Sequence, residues 1–589
     1  GFFRAAGVFV LHVLLAAAVT WPLIVRAANH FYAPLDSWLN TYIHHYLYLY
    51  WTGDGIKPVP FLDGMMFYPA RLSMGLTEWM AGNQPLFGAF HVLSENPVLS
   101  YNLLLLSSLA LNALCFYLFA SAATGSCFAA FAGSMVFGFA PVVTGYLSHL
   151  QLLTCWWTPL CFLFLYRFIE RKELCALAVC LACFVLQLAS SIHWGIFLLT
   201  GAGLVFLLNG AVPAVLRMLR MRPSGAAVIF AAALVCAGAL VYPQYAAHQH
   251  HAAVREAAEN IVYSAEVRSF FAVNQNNFLG SLHGLLEKNR SRDAAWEKHL
   301  YPGFAPLVLS LAGLSWFCFA LVRSILRRIC GCAVPGGMRQ RIMRDMSLLL
   351  ILSFVFALGP ELVHGNEPTG VRLPYYFMLK YCPVFGALRV PARWSLLMLF
   401  AAAVLSSLVI AEGERLLRRF GDSFGSRIVR IALCGLLLLL IFAEQINRPL
   451  PLDAAYFSAE ENKLISALSV SALEGRAVLF WPSLNVDPAS FEERLRGSLE
   501  NARRAAMCLY FRRPMVNGYS GFEPAAAWNL IRLGRTLPAP EYIRRLREAG
   551  VASVVFDKRD ISAAHPMFWD DVLLVKVFEN ERYIAADIR

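Results

Sequence analysis

Residues 388–419 read LRVPARWSLLMLFAAAVLSSLVIAEGERLLRR: two arginines around a proline, an uncharged stretch from 394 to 411, then a charged tail. At about 1.5 Å of rise per residue, such a stretch as a helix reaches across the hydrocarbon core of a bilayer. The pattern recurs. Spans are expected near 5–25, 99–121, 127–146, 150–168, 174–190, 194–210, 225–243, 303–322, 346–362, 394–411 and 429–446, eleven in all. The composition agrees: of 589 residues 58% are apolar and 15% charged, with a mean hydropathy of +0.55, where a soluble chain carries about 25% charge. A soluble enzyme, a coiled coil, a disordered chain and a secreted protein with one signal peptide are excluded. The reading is a polytopic α-helical membrane protein. The chain starts at Gly1 without a Met, which points to a missing or processed N-terminus.

Charge placement orients the spans. Segments 167–173, 213–222, 323–344 and 415–430 hold 17 Lys/Arg and 3 carboxylates in 55 residues. The alternate loops 26–98, 244–302 and 359–393 hold 13 Lys/Arg and 13 carboxylates in 167 residues. The positive-inside rule puts the first set, and the N-terminus, in the cytoplasm. The net charge of +12 therefore belongs to membrane topology, and no nucleic-acid partner is expected. Arg4, Asp345, Glu412, Glu414 and Glu444 fall near span ends, so the span centres carry no charge. Ion-coupled pumps place ionisable groups at mid-membrane; here the titratable groups gather at the external surface.

Two domains are expected, a transmembrane domain over 1–446 and an external α/β domain over 447–589. In the first loop Trp38, Tyr42, Tyr46 and Tyr50 recur every fourth residue. This predicts a helix over 37–51 with its aromatic stripe in the headgroup region or, alternatively, packed as an ordinary aromatic face. A shorter helix follows near 76–92. In the soluble part, strands are expected at 478–481, 551–556 and 572–577, helices at 488–506, 524–535 and 540–549, and a closing hairpin around Asn580. Most cysteines lie in spans as small hydrophobes. Cys330 and Cys332 lack further ligands for a zinc site, and Cys382 and Cys508 are external and free to pair.

A carboxylate a few residues beyond the first span, in a long loop of interfacial helices, resembles the GT-C superfamily of integral-membrane glycosyltransferases, which use polyprenyl-phosphate sugars and include protein O-mannosyltransferases and lipid A aminoarabinose transferases, and several stretches match a narrower group within it. They are Asp36-Ser37, Phe67-Tyr68-Pro69, Thr77-Glu78, Asn96 to Asn102, His149-Leu150-Gln151, Leu388 to Arg393 and Asn517 to Phe522. Together they most resemble a bacterial GT-C-like group with a C-terminal periplasmic domain. The resemblance implies a multi-pass protein of the bacterial inner membrane with its C-terminal domain in the periplasm. It implies transfer of a hexose or pentose from a polyprenyl-phosphate donor to a cell-envelope glycan, glycolipid or protein. Other members often carry a second acid beside the loop aspartate, where this chain has Ser37. No cofactor is certain, and a divalent metal ion remains open.

A lipid phosphate is a good leaving group, so one carboxylate suffices to take the acceptor's proton, and cations stabilise the charge growing on the phosphate. Asp36 is the expected general base and Glu78 the second catalytic candidate. Arg389, Arg393 and, secondarily, Lys380 are the candidates for the donor phosphate, since a guanidinium forks onto phosphate oxygens. Snorkelling at a span end is the alternative. Arg255, Arg268 and Arg372 are lesser candidates, and Asp54 and Asp63 read as turn residues. His149, Gln151, His193 and Tyr519 are candidates for sugar or acceptor binding. The spacing of His248, His250 and His251 does not put three ligands on one helical face. A flippase for a lipid-linked sugar and a non-catalytic membrane scaffold are the competing classes.

Overall fold

The computed structural model describes residues 2–53, 60–221, 223–252, 257–280, 295–329, 337–419, 424–470, 476–483, 490–533, 539–560 and 573–589. Asp54, Arg255, Cys330 and Cys332 lie outside the described residues.

A helix stands at each of the eleven expected spans. Among the described residues seven are long and apolar enough to cross a membrane: Pro97–Thr124, Cys127–Gly145, Leu150–Arg171, Pro223–His250, Phe304–Arg327, Pro391–Arg419 and Gly425–Gln445. An eighth span is the pair Ile192–Leu208 and Val212–Met221, bent by 86°. Phe3–Val19 and Leu174–Ser190 are shorter apolar helices. Met338–Ala357 begins with charged residues eight positions earlier than its span was expected. The protein is thus a polytopic helical membrane protein with a small soluble α/β part.

The chain divides into two compact units. The first comprises Gly1–Val25, Leu105–Ala237 and Arg255–Leu450. Its centre is the helix Ser395–Arg419, buried along most of its length. The aromatic rings of Phe116, Phe119, Phe137 and Phe162 pack around Phe400 at centroid distances of 4.9–5.9 Å. At one end of a neighbouring helix, the fully buried Asp345 accepts hydrogen bonds from Tyr166 (3.1 Å) and Asn209 (2.7 Å) and pairs with Arg344 (2.7 Å).

The second unit comprises Arg26–Leu104, Gly238–Val254 and Pro451–Arg589. The first long loop and the C-terminal segment therefore fold together. Strand His30–Tyr32 pairs antiparallel with Leu452–Ala454, a strand the sequence reading did not foresee. Helix Pro34–Thr52 starts with Pro34 in its first turn, where no N–H is needed, and stops at Gly53, whose φ of 79° suits glycine. Its aromatic stripe is not at a headgroup surface: Trp38, Tyr42 and Tyr46 are buried. Trp38 stacks on Phe457 at 5.5 Å, Tyr42 Oη accepts a hydrogen bond from Met65 N–H at 2.9 Å, and Tyr46 Oη donates to the Phe61 carbonyl at 3.0 Å. The helix is amphipathic because it completes a protein core, which was the alternative reading.

The C-terminal segment carries a four-stranded sheet. Its edge strand Ala477–Trp481 runs parallel to the central Val551–Asp557, which pairs antiparallel with Tyr583–Ile588; that strand closes a hairpin with Leu574–Glu579. Strand Val551–Asp557 is buried throughout and ends in Asp557. Burial alone would raise the Asp557 pKa, but Arg559 (2.8 Å), Arg582 (3.2 Å) and Arg504 (3.6 Å) hold it below the ordinary aspartate value. The stability this provides is present above the ordinary value of 3.8 and is lost as pH falls through the lower folded value. Asp557→Asn should destabilise this unit by about 1–3 kcal/mol, because the buried Arg504 loses a charged neighbour while Arg559 and Arg582 keep Glu500. Thermal denaturation of the full chain in detergent would read the loss, and a melting temperature equal to wild type would refute the role.

Candidate functional site

Within the second unit, Asp36 sits in the first turn of helix Pro34–Thr52. The N–H groups of that turn carry the positive end of the helix dipole, which favours the ionised carboxylate. Asp36 is half-buried, and Tyr519 Oη donates a hydrogen bond to its Oδ1 at 3.3 Å. Next to it, Ser37 Oγ donates to the Tyr32 carbonyl at 2.9 Å and lies 3.3 Å from Tyr101 Oη.

Two stretches flagged separately in the sequence meet here. Phe67 N–H donates to the Asn517 carbonyl (3.1 Å), Tyr68 N–H to the Met515 carbonyl (3.0 Å) and Met515 N–H to the Met65 carbonyl (2.8 Å). Asn517 then pins strand Ala477–Trp481 by accepting from Phe480 N–H (2.8 Å) and donating to the Phe480 carbonyl (3.0 Å). Gly518 lies against the Phe67 ring so closely that a Cβ would stand 2.6 Å from it. A glycine is required at that position to let the chain pass and present Tyr519 to Asp36. Glu78 is half-buried in the connection between the tight turns Ser73–Leu76 and Ala81–Asn83. Asp63 is a turn residue as expected, accepting from Leu72 N–H at 2.7 Å. His248 packs edge-on against Phe522 at 4.8 Å, and His251 Nε2 bonds the Arg71 carbonyl at 2.7 Å.

Within the first unit, Arg393 is 7% exposed. Its Nη2 and Nε donate to Glu297 at 2.5 and 3.2 Å, and its Nη1 lies 3.3 Å from His193 Nε2. Its charge thus faces an internal carboxylate, where the sequence suggested a surface fork. Burial, with the charges of Arg393, His193 and Arg389 added, drives the His149 pKa well down. Its Nδ1 bonds Ser148 Oγ at 2.7 Å. Gln151 Oε1 is buried without a hydrogen-bond partner among the described residues. Arg389 is half-buried and lies over the Tyr263 ring at 4.8 Å, its loop tied down by Asn260 Nδ2 donating to the carbonyls of Leu388 (2.8 Å) and Arg389 (3.1 Å). Lys380 and Arg372 are exposed on helix Pro374–Tyr381 and strand Glu367–Arg372. Arg268 pairs with Glu266 at 3.0 Å.

Glu297 was not singled out from sequence. Its signal was an acid entering an apolar span among Lys298 and His299, which reads as ordinary span-end charge until its partner is known. Among the described residues no group of three or more His, Cys, Asp and Glu side chains is placed to hold a metal ion. Cys382 and Cys508 are free thiols.

No protein-family model and no curated protein matches the chain. Two solved structures are similar over nearly its full length. One is ArnT from Cupriavidus metallidurans in the apo state, at 11% identity and a TM-score of 0.34 over 99% of this chain and 98% of that one. The other is the same protein bound to undecaprenyl phosphate, at 11% identity and 0.35 over 98% and 97%. Likeness this distant assigns neither fold nor chemistry, which rest on this chain's own residues.

Glu297→Gln should destabilise the first unit by about 3–5 kcal/mol by stranding a buried guanidinium, and adding Arg393→Gln should recover a large part of that loss. A double-mutant cycle on thermal melting checks this. Additive losses would mean that the two side chains do not act as a pair.

Proposed function

We propose that the protein is a GT-C-type glycosyltransferase that moves a monosaccharide from a polyprenyl-phosphate donor to a cell-envelope glycan, glycolipid or protein on the external membrane face. The reading rests on one observation above the others. The acid that follows the first apolar helix stands at a helix N-terminus with a phenol on it, delivered by a motif 483 residues away.

In this proposal Asp36 accepts the proton of the acceptor hydroxyl as its oxygen attacks the anomeric carbon. The bond from that carbon to the phosphate oxygen breaks, its electron pair leaves with the phosphate, and the configuration inverts. A base must be ionised before it reacts, and the helix N-terminus supports that state. Tyr519 orients the carboxylate, and Glu78 orients the acceptor. Arg389 and Lys380 bring cationic charge to the departing phosphate. Arg393, neutralised by Glu297, holds His193, and this group with His149 and Gln151 offers neutral hydrogen-bonding atoms to sugar hydroxyls. No step is routed through a metal. The external position of the catalytic groups and the cytoplasmic N-terminus follow from the charge count in the loops.

Asp36→Asn keeps the shape and removes the base. Transfer should fall by about 10²–10⁴-fold, with binding of the polyprenyl-phosphate donor retained. Tyr519→Phe should cost up to about 10-fold, the scale of one hydrogen bond to a charged group. Radiolabelled transfer and donor binding by the purified full chain, measured side by side, decide. Undiminished transfer by Asp36→Asn removes this residue from the reaction. Lipid movement without detectable transfer in either protein replaces the enzyme with a transporter.

A further inference from the structure

A cavity of about 530 Å³ lies within the first unit at the arginine-rich ends of helices Phe304–Ile329, Met338–Ala357 and Ser395–Arg419. Arg323, Arg327, Arg339, Arg341, Arg344 and Arg415 line it, with Glu412 the one carboxylate in the lining. Arg393 and Arg415 are 22 residues apart along nearly continuous helix, roughly 33 Å at helical rise. The cavity is therefore a membrane thickness away from the Arg393 cluster and has no part in the chemistry proposed above.

Among the described residues the charge in this cavity does not balance. Glu412 is taken by Arg415 at 2.7 Å, and Arg344 is taken by Asp345 at 2.7 Å. Arg339 donates to the Thr124 carbonyl, the negative end of helix Pro97–Thr124. Among the described residues no carboxylate pairs with Arg323, Arg327 or Arg341, and residues 323–344 contain neither Asp nor Glu. Guanidinium groups converging on one cavity repel one another unless an anion joins them. Besides Thr124, Ser324 and Gln340 the rest of the wall is apolar, including Trp316, Phe319 and Leu321, which are 41%, 68% and 47% exposed on a membrane-spanning helix. Such a surface faces acyl chains.

We propose that this cavity binds the phosphate headgroup of an anionic membrane lipid. Arg323, Arg327 and Arg341 engage the phosphate oxygens, and Trp316, Phe319 and Leu321 lie along the acyl chains. Guanidinium groups suit the task because they fork onto phosphate and remain charged at every physiological pH. The apolar wall selects a lipid over a soluble phosphate. By the positive-inside reading, the lipid comes from the cytoplasmic leaflet.

The test uses the full chain in detergent with phosphatidylglycerol brominated on its acyl chains, and reads the quenching of Trp316 as the difference between wild type and Trp316→Phe. Saturable quenching is expected with brominated phosphatidylglycerol and little with brominated phosphatidylcholine. The double variant Arg323→Gln/Arg327→Gln should move the midpoint to roughly 20-fold more lipid. Arg217→Gln/Arg220→Gln, equally basic but outside the cavity, should leave it nearly unchanged. Equal midpoints for the two lipids, or an equal shift from the control pair, would overturn the site. Displacement of the lipid by inorganic phosphate at matching concentration would overturn its assignment to a lipid.

Discussion

A charge removed from water has to be met by an opposite charge or by hydrogen-bond donors, and this chain meets that demand at almost every ionisable group it buries. Asp345 receives a phenol, an amide and a guanidinium. Glu297 receives two nitrogens of Arg393. Asp557 is surrounded by three arginines, and Glu266 accepts from the N–H groups of Gly365 and Asn366 as well as from Arg268. These pairings fix helix ends and loops that apolar packing alone would leave free to slide. The arginine-lined cavity stands out against this rule, because among the described residues it holds more cations than carboxylates.

The same demand shapes the candidate catalytic groups. Asp36 is half-buried in the first turn of its helix, and the Tyr519 phenol donates to its Oδ1. A general base has to react as the carboxylate, and the positive end of a helix dipole favours that form. Arg393 is held by an ion pair. Its contact with Glu297 gives it a structural hold on His193 and leaves the half-buried Arg389 and the exposed Lys380 as the cations with more access to solvent.

Much of the architecture was legible in the chain itself. An uncharged run of some twenty residues has few alternatives to a membrane helix, because every backbone group must be bonded within the segment. A helix stands at all eleven expected places, and among the described residues seven of them, or eight with the bent pair, are long and apolar enough to cross. The soluble strands were visible because β-branched and aromatic residues cluster between turn formers, and strand Val551–Asp557 falls where such a cluster predicts. The stripe of Trp38, Tyr42 and Tyr46 was less decisive. Its spacing specifies one apolar helix face but not what covers that face, and an aromatic ring suits a headgroup layer and a protein core equally well.

What the sequence determined by itself was therefore local and periodic: membrane crossings, strand positions, charge asymmetry, and an isolated acid after the first span. Only the tertiary structure decided that Phe67 faces Gly518, that Tyr519 reaches Asp36, and that Glu297 neutralises Arg393. Those partners lie 96 to 483 residues apart along the chain. Periodicity and span length carry no information about pairs so widely separated, since which segments meet is set by the packing of all the elements between them.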